Sequence, residues 1–225
     1  MTLSKSEISK HYLKLRFKLT SRNIIRSYFK ENEVYKLQIG SSTNALTGWL
    51  NSDIVPSRQI MYLDATKKFP FADEQFHYIY SEHMIEHVNF DQGRFMLREV
   101  YRVLKEDGIL RIATPDLRFL INLYMNPTDT INANYILWAN STFTKNSFLN
   151  DPVPVINNFF RAWGHKFIYD YETLKKSLQS VGFKNIRKVE VSKSQIPDLN
   201  GIECHGRSIG ETNNVLESMV IEAGK

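Results

Sequence analysis

The stretch Phe76-His77-Tyr78-Ile79-Tyr80-Ser81-Glu82-His83-Met84-Ile85-Glu86-His87-Val88 (residues 76–88) joins two patterns that belong to different kinds of protein. Residues 76–80 are rich in aromatic and β-branched side chains, which is typical of a buried strand. Residues 83–87 form an H-x-x-E-H string, and its two histidines would share one face if the string were helical. The rest of the chain decides whether this string is a helix or the loop after a strand.

Alternating strands and helices surround this stretch. Short apolar or alternating runs predict strands at residues 34–39, 49–54, 60–64, 76–80, 109–113, 184–192 and 218–222. Apolar positions at helical spacing predict a helix over 91–105, which Asp107-Gly108 ends, and another over 171–180, which Gly182 ends. This alternation predicts an α/β fold with an open, doubly wound, mostly parallel sheet that has helices on both faces.

Composition restricts the class of protein. The chain has 225 residues, of which 42% are hydrophobic and 24% are charged, near the average for globular domains. Its one cysteine, Cys204, excludes an intrachain disulfide framework and favours a reducing, cytoplasmic location. No apolar run approaches the length of a membrane span.

The net charge of +5 has its source near the N-terminus, where eight Lys or Arg residues lie between Lys5 and Lys30 against a single acid, Glu7. We predict a basic helical arm over residues 1–33, followed by one domain over 34–225. The arm either contacts a membrane surface peripherally or packs on the domain with a solvated basic face. No recognition motif supports a nucleic-acid partner. Within the domain, residues of about 126–165 lose clear periodicity and predict an inserted lid or substrate-side segment.

Small and acidic residues follow the predicted strands. Ligands bind outside the carboxyl ends of strands in such a sheet, so these residues are expected to meet. Asp53, after the second strand, can accept hydrogen bonds from ribose hydroxyls, and Asp64 can hold the amine of an adenine. Either acid alone could be only a cap or turn former, but the ordered series favours a site. The candidate cofactor-binding residues are Gly40, Ser41, Ser42, Asn44, Asp53, Asp64, Ala65, Thr66, Ser81, Glu82 and His83.

Four segments together resemble the class I S-adenosylmethionine-dependent methyltransferases. They are Gly40-Ser41-Ser42-Thr43-Asn44 in place of the glycine-rich loop, Leu63-Asp64-Ala65-Thr66 with Phe69-Pro70-Phe71, Phe76 to His83 with Glu86-His87, and Glu99-Val100-Tyr101-Arg102-Val103-Leu104-Lys105 with Asp107-Gly108. The resemblance implies S-adenosyl-L-methionine as cofactor and a Rossmann-like sheet of seven strands whose last strand is antiparallel. More narrowly, the chain is similar to small bacterial methyltransferases of polysaccharide or secondary-metabolite pathways.

Two residues depart from the family pattern. Ser42 stands at the second glycine of the loop, and His77 stands at the usual aspartate of the fourth strand. Some conformations with positive φ are energetically unfavourable for serine. The absence of the aspartate at position 77 could weaken cofactor binding. A non-catalytic, methyltransferase-like binding protein is therefore the alternative.

The H-x-x-E-H string also matches the zinc-ligand pattern of inverted zincins, which would make a zinc hydrolase with His83 and His87 as ligands. That function needs the string inside a long helix and a third ligand downstream. The strand directly before Ser81 and the break at residues 89–91 argue against the helix. In the family pattern the string lies beside the cofactor and binds no metal, so we expect none.

Methyl transfer to a hydroxyl needs a base that takes the acceptor's proton. His165 is the first candidate, and His83 is a second residue placed to contact cofactor or acceptor. Arg161, His205 and Arg207 are candidate acceptor-binding residues, with the arginines suited to an anionic group. The expected reaction is O-methylation of a small molecule or of a glycan hydroxyl. For each histidine, a surface or loop-stapling role is the competing interpretation.

Overall fold

Seven strands form one sheet in the order β3-β2-β1-β4-β5-β7-β6. The structure is a computed structural model that describes residues 20–144 and 149–225. The strands are β1 (Lys36–Ile39), β2 (Leu50–Asp53), β3 (Met61–Tyr62), β4 (Phe76–Glu82), β5 (Leu104–Pro115), β6 (Lys184–Val189) and β7 (Ser218–Gly224). The first five run parallel, and β7 lies antiparallel between β5 and β6. The predicted fold class, with its antiparallel last strand, is confirmed.

Helices separate the strands as the alternation predicted. They are α1 (residues 20–31), α2 (Phe90–Val103), α3 (Leu117–Met125), α4 (Thr130–Ala139), α5 (Pro152–Arg161), α6 (Tyr171–Val181), α7 (Gly206–Ile209) and α8 (Glu211–Glu217). Helix α2 begins at a capping box, in which Asn89 and Gln92 each accept the other's backbone N–H. Helix α6 ends at Gly182, whose φ of 118° gives the left-handed stop that the sequence predicted.

The predicted insert over residues 126–165 contains more regular structure than its composition indicated. Helices α4 and α5 lie within it, and Asn140–Thr144 form a π-helical turn. These elements pack with α3 around their own apolar cluster, which includes Leu123, Ile136 and Phe159. The segment is therefore a helical layer with its own core, beside the main core of the sheet.

Helix α1 packs on the sheet through one face. Tyr28 is only 8% exposed, and its hydroxyl donates to the carbonyl of Lys36 (3.0 Å) and accepts the Lys36 N–H (2.7 Å). Arg22, Arg26 and Lys30 stay exposed on the same helix. This part of the predicted arm is thus a packed helix with a solvated basic face, whereas residues 1–19 lie outside the described chain. None of the described helices is both long and apolar enough to cross a membrane.

An ion pair on α2 fixes the loop that follows β3. The carboxylate of Glu99 accepts the buried N–H of Phe69 (2.7 Å) and pairs with Arg102 at 2.6 Å. Arg102 also donates to the carbonyls of Phe69 and Phe71. These contacts hold the part of the loop at residues 69–71 against the helix. The hydrogen bond from Arg102 and the N–H of Phe69 hold the pKa of Glu99 below its usual value, although burial opposes them.

Glu99→Gln is expected to lower the free energy of unfolding at pH 7 by about 1.5–3 kcal/mol, the range for hydrogen bonds to charged groups. Because folding lowers the pKa of Glu99, its contribution is present above the unfolded carboxyl pKa of about 4.3 and is lost as the pH falls below it. Denaturant unfolding at pH 7 and at acid pH measures both effects. The control Glu190→Gln, on an exposed ion pair, should stay within about 0.5 kcal/mol of the parent. If the stability difference between Glu99→Gln and the parent does not decrease at acid pH, the lowered pKa of Glu99 is contradicted.

Candidate active site

Two cavities meet at the carboxyl ends of the parallel strands. The first, which we call the strand-end cleft, has a volume of about 530 Å³, and its lining includes Gly40, Ser42, Asp53, Asp64, Ala65, Thr66 and His83. The second, which we call the aromatic pocket, has a volume of about 320 Å³ and contains Tyr135, Phe143, Phe159 and Trp163. His83 and His87 line both cavities and form the wall that the two share.

The loop after β1 shows how Ser42 replaces a glycine. Ser42 adopts a left-handed φ of 46°, and its N–H donates to Asp53 Oδ2 at 2.9 Å. Asp53 also accepts the N–H of Val55 through Oδ1 (2.8 Å). Each carboxylate oxygen keeps a second lone pair that can face a ligand. The serine is therefore accommodated, and backbone N–H groups of the β1 loop and of its own turn orient the carboxylate of Asp53.

Gly40 is required by close packing. Its φ is +74°, and a Cβ at this position would lie 2.4 Å from Met84 Cγ. Met84 belongs to the turn after β4 and also lines the cleft. A side chain at residue 40 would thus displace the loop that ends the fourth strand.

Asp64 is ionised and fixed at the far side of the cleft. Its carboxylate accepts from the N–H (3.1 Å) and hydroxyl (2.6 Å) of Thr66 and pairs with Lys67 at 2.8 Å. Burial opposes ionisation, but these contacts outweigh it and lower the pKa of Asp64. The cleft thus presents two carboxylates, Asp53 and Asp64, from adjacent strand ends.

His77, the second departure from the family pattern, lies away from the cleft. It stands at the beginning of β4, where its Nδ1 accepts the N–H of Tyr35 at 2.9 Å and its Nε2 lies 3.0 Å from Lys105 Nζ. Burial and the nearby Lys105 lower its pKa. His77 therefore links β4 to its neighbours at the opposite edge of the sheet from the two cavities.

The H-x-x-E-H string is a loop after a strand. His83 has a left-handed φ of 45°, and only Ile85–His87 form a single 3₁₀ turn. His83 and His87 therefore do not lie on one face of a helix, as the ligands of an inverted zincin must. The alternative of a zinc hydrolase that uses this helical pair is wrong. Glu86 is 0% exposed, and its Oε2 accepts from the hydroxyl of Thr114 at 3.0 Å.

His83 is held by polar contacts on both ring nitrogens. Its Nδ1 lies 3.2 Å from Glu86 Oε1, and its Nε2 lies 3.0 Å from the hydroxyl of Ser218. The ring stacks on His205 at 3.8 Å between centroids. Burial would lower the pKa of His83, but Glu86 outweighs that effect and raises it, with support from Glu217 and Glu82.

The aromatic pocket contains three further titratable side chains, those of His165, His205 and Glu217. His205 Nε2 lies 3.1 Å from Glu217 Oε1, and Glu217 Oε2 accepts a short hydrogen bond from the hydroxyl of Tyr135. His165 Nδ1 lies 2.7 Å from the carbonyl of Phe159, and burial lowers the pKa of His165. Four of the six histidines in the chain line this one pocket.

Several predicted residues lie outside both cavities. Ser41 and Ser81 are buried, and Asn44 takes part in the turn through its backbone. Glu82 accepts the backbone N–H groups of Cys204 and His205 at 2.8–3.0 Å, so it positions the loop that carries His205. Arg161 and Arg207 are exposed and do not line the pocket. Direct ligand contacts by these residues stay predictions.

Sequence reasoning missed Tyr135, Trp163 and Glu217. Tyr135 and Trp163 belong to the stretch without clear periodicity, where no pattern separated pocket residues from core. Glu217 ends the short helix α8, directly before β7. Its position directly before the last strand was the one available signal. Only the antiparallel pairing of β7 with β5 shows that this position lies near the carboxyl end of β5.

Residues 37–112 match the family model described as a methyltransferase domain. This segment contains β1 to β4 and most of β5, and hence every strand end of the cleft. The match covers less than half of the chain, and the observed sheet of seven strands with an antiparallel last strand agrees with the one that the resemblance implied. No curated protein matches the chain.

Solved structures of methyltransferases are similar over nearly the whole chain. A SAM-dependent methyltransferase from Archaeoglobus fulgidus has 16% identity, with 93% of this chain and 94% of that chain covered and a TM-score of 0.48. One from Thermotoga maritima, described as a possible histamine N-methyltransferase, has 17% identity, coverage of 98% and 95%, and a TM-score of 0.44. Phosphoethanolamine N-methyltransferase 2 from Haemonchus contortus, in complex with S-adenosylhomocysteine, has 12% identity, coverage of 91% and 52%, and a TM-score of 0.44. At these identities and TM-scores the likenesses carry no argument about the substrate.

The partly buried His83 and His165 should titrate in opposite directions from the usual imidazole pKa of about 6.5. We expect the titration midpoint of His83 above that value and the midpoint of His165 below it, because Glu86 stabilises the charge on His83 whereas burial disfavours charge on His165. Two-dimensional NMR of the histidine rings measures both midpoints. In Glu86→Gln the midpoint of His83 should fall. An unchanged His83 midpoint in that variant would contradict the pairing.

Proposed function

We propose that the chain is an S-adenosylmethionine-dependent methyltransferase that binds its cofactor in the strand-end cleft and its acceptor in the aromatic pocket. The observation that carries this proposal is the shared wall of His83 and His87, because it places two ligand-sized cavities directly side by side. Transfer of a group between two bound molecules needs such an arrangement, in which positioning supplies much of the acceleration.

The residues of the cleft fit the cofactor. Gly40 lets the backbone approach a ligand closely, and the carboxylates of Asp53 and Asp64 can accept hydrogen bonds from ribose hydroxyls and from an adenine amine. The volume of about 530 Å³ lies within the range of about 300–1,000 Å³ for small-molecule sites. When bound, S-adenosylmethionine supplies a methyl group on a sulfonium, which the acceptor takes to leave S-adenosylhomocysteine.

The aromatic pocket supplies a proton acceptor. A carboxylate only accepts, so the contact between His205 Nε2 and Glu217 Oε1 (3.1 Å) places the ring proton on Nε2. His205 Nδ1 then carries the lone pair that can take the proton of an acceptor hydroxyl. Glu217 stabilises the resulting imidazolium, and the hydroxyl of Tyr135 holds Glu217 in place.

The same geometry supports O-methylation of a small molecule, or of a sugar hydroxyl presented to the pocket. The aromatic walls favour a ring that can stack, and Glu217 favours a neutral or cationic acceptor. An anionic acceptor held by Arg161 and Arg207 receives no support from the pocket lining. The assignment to polysaccharide or secondary-metabolite pathways stays a prediction of the sequence.

Binding of S-adenosylhomocysteine tests the cofactor site without any acceptor. At about a hundred times its dissociation constant it should add roughly 2.7 kcal/mol of stability, which is a rise in Tm of about 5–10 °C. Asp53→Ala should lose most of this rise, whereas the control Asp107→Asn, exposed at the other edge of the sheet, should keep it. Thermal unfolding with and without the ligand gives the result. If the Tm of the parent protein does not rise, the proposal that the cleft binds the cofactor is contradicted.

The proton acceptor is tested by His205→Gln and Glu217→Gln. Loss of a general base lowers turnover by about 10²–10⁴-fold, so we expect kcat to fall while the KM for the cofactor stays within about twofold. Transfer of labelled methyl groups to a panel of hydroxylated aromatic compounds and sugars measures both constants. The thermal rise with S-adenosylhomocysteine shows that each variant is folded. Full kcat in both variants removes the His205–Glu217 pair as the base.

A further inference from the structure

Glu86, His87 and His165 form a second cluster in the shared wall. Each offers one ligand atom, and the three atoms lie within 4.8 Å of one another. The first two residues belong to the turn after β4, whereas His165 belongs to the loop after α5. The backbone ties these segments together, since the carbonyl of Glu86 accepts the N–H groups of Lys166 (2.7 Å) and Phe167 (3.2 Å).

One carboxylate oxygen of this cluster lacks a hydrogen bond. Glu86 is fully buried, and its Oε1 has no hydrogen-bond partner within the described residues. His83 Nδ1 lies 3.2 Å from this oxygen and forms an ion pair with it. A buried carboxylate oxygen that accepts no hydrogen bond is rare in folded proteins, and its lone pairs can still bind a metal ion.

His165 has the second contact that is usual for a metal-binding histidine. Its Nδ1 lies 2.7 Å from the carbonyl of Phe159, and a carbonyl can only accept. The ring proton is therefore on Nδ1, and Nε2 carries a lone pair. Metal-ligating histidines commonly donate their other N–H to a carbonyl or carboxylate in this way.

The cluster is accessible and leaves room for a ligand. His87 and His165 both line the aromatic pocket, and His87 also lines the strand-end cleft. Two histidines and one carboxylate occupy three positions of a metal ion and leave others open for substrate.

We propose that Glu86, His87 and His165 bind one divalent transition-metal ion of the zinc or iron(II) class. In a tetrahedral site with bonds of about 2.0–2.2 Å the ligand atoms lie about 3.3–3.6 Å apart, so the three side chains, now within 4.8 Å of one another, must move closer together on binding. This site differs from the inverted-zincin pattern, because His165 replaces His83 as a ligand. Its role, which rests on the proposed function, is to hold the acceptor oxygen and lower the pKa of that hydroxyl before His205 takes the proton.

Cobalt(II) is the probe, because its visible absorption reports coordination without any enzymatic assay. Chelator-treated full-length protein is titrated with Co²⁺, and Zn²⁺ is then added in competition. We expect one equivalent to bind, and His87→Gln and His165→Gln should weaken binding by more than the roughly 10–100-fold that outer-shell changes cost. His205→Gln changes a histidine of the same pocket outside the cluster, so it should bind like the parent.

Equal binding in all four proteins, or no stoichiometric binding in the parent, overturns the metal site. The same four proteins are also tested for the thermal rise with S-adenosylhomocysteine, which checks their folding and the cofactor site independently. Cobalt binding without a rise in Tm would support the metal site and contradict the methyltransferase proposal. A rise in Tm without cobalt binding would contradict the metal site alone.

Discussion

The burial of Glu86 is the constraint on which the site depends. A carboxylate with no solvent exposure needs donors or cations around it. Thr114 supplies one from β5, and His83 supplies positive charge from the left-handed residue after β4. The backbone carbonyl of Glu86 accepts two N–H groups from the 165–168 loop. One residue therefore joins the strand ends of the strand-end cleft to the segment that lines the aromatic pocket, which is why the two cavities share a wall.

The two halves of the site have different origins in the chain. The strand-end cleft comes mostly from the segment that matches the methyltransferase domain, because the carboxyl ends of parallel strands converge at one edge. Most of the aromatic pocket comes from later residues, on α4, α5, α8 and the loops around them. The family match over residues 37–112 thus covers most of the strand-end cleft and little of the aromatic pocket. Under the proposed function, the chemistry of Tyr135, Trp163, His205 and Glu217 would select the acceptor.

The predictable part of the structure is the part that local patterns determine. Strand alternation located all seven strands, and the positions of Asp53 and Asp64 at strand ends were enough to place both in the cleft. The role of Glu82 was not predictable, because its partners Cys204 and His205 lie more than 120 residues further along the chain. The spacing of His83 and His87 suggested a helix, yet the strand directly before them required a turn with positive φ. The only local signal for Glu217 was its position before the last strand, because its partners come from α4 and from the loop before α7.

Ser42 and His77 were the sequence's only grounds for a binding protein that has lost its cofactor. The left-handed conformation of Ser42 is stabilised by its N–H bond to Asp53, so the loop reaches its geometry without the glycine. His77 bonds the N–H of Tyr35 at the beginning of β4, whereas the ligand cavities open at the end of that strand. A substitution at the far edge of the sheet changes strand packing and leaves the cleft as it was. Both departures are therefore local solutions within an intact site, and they give no physical reason for the cleft to have lost its ligand.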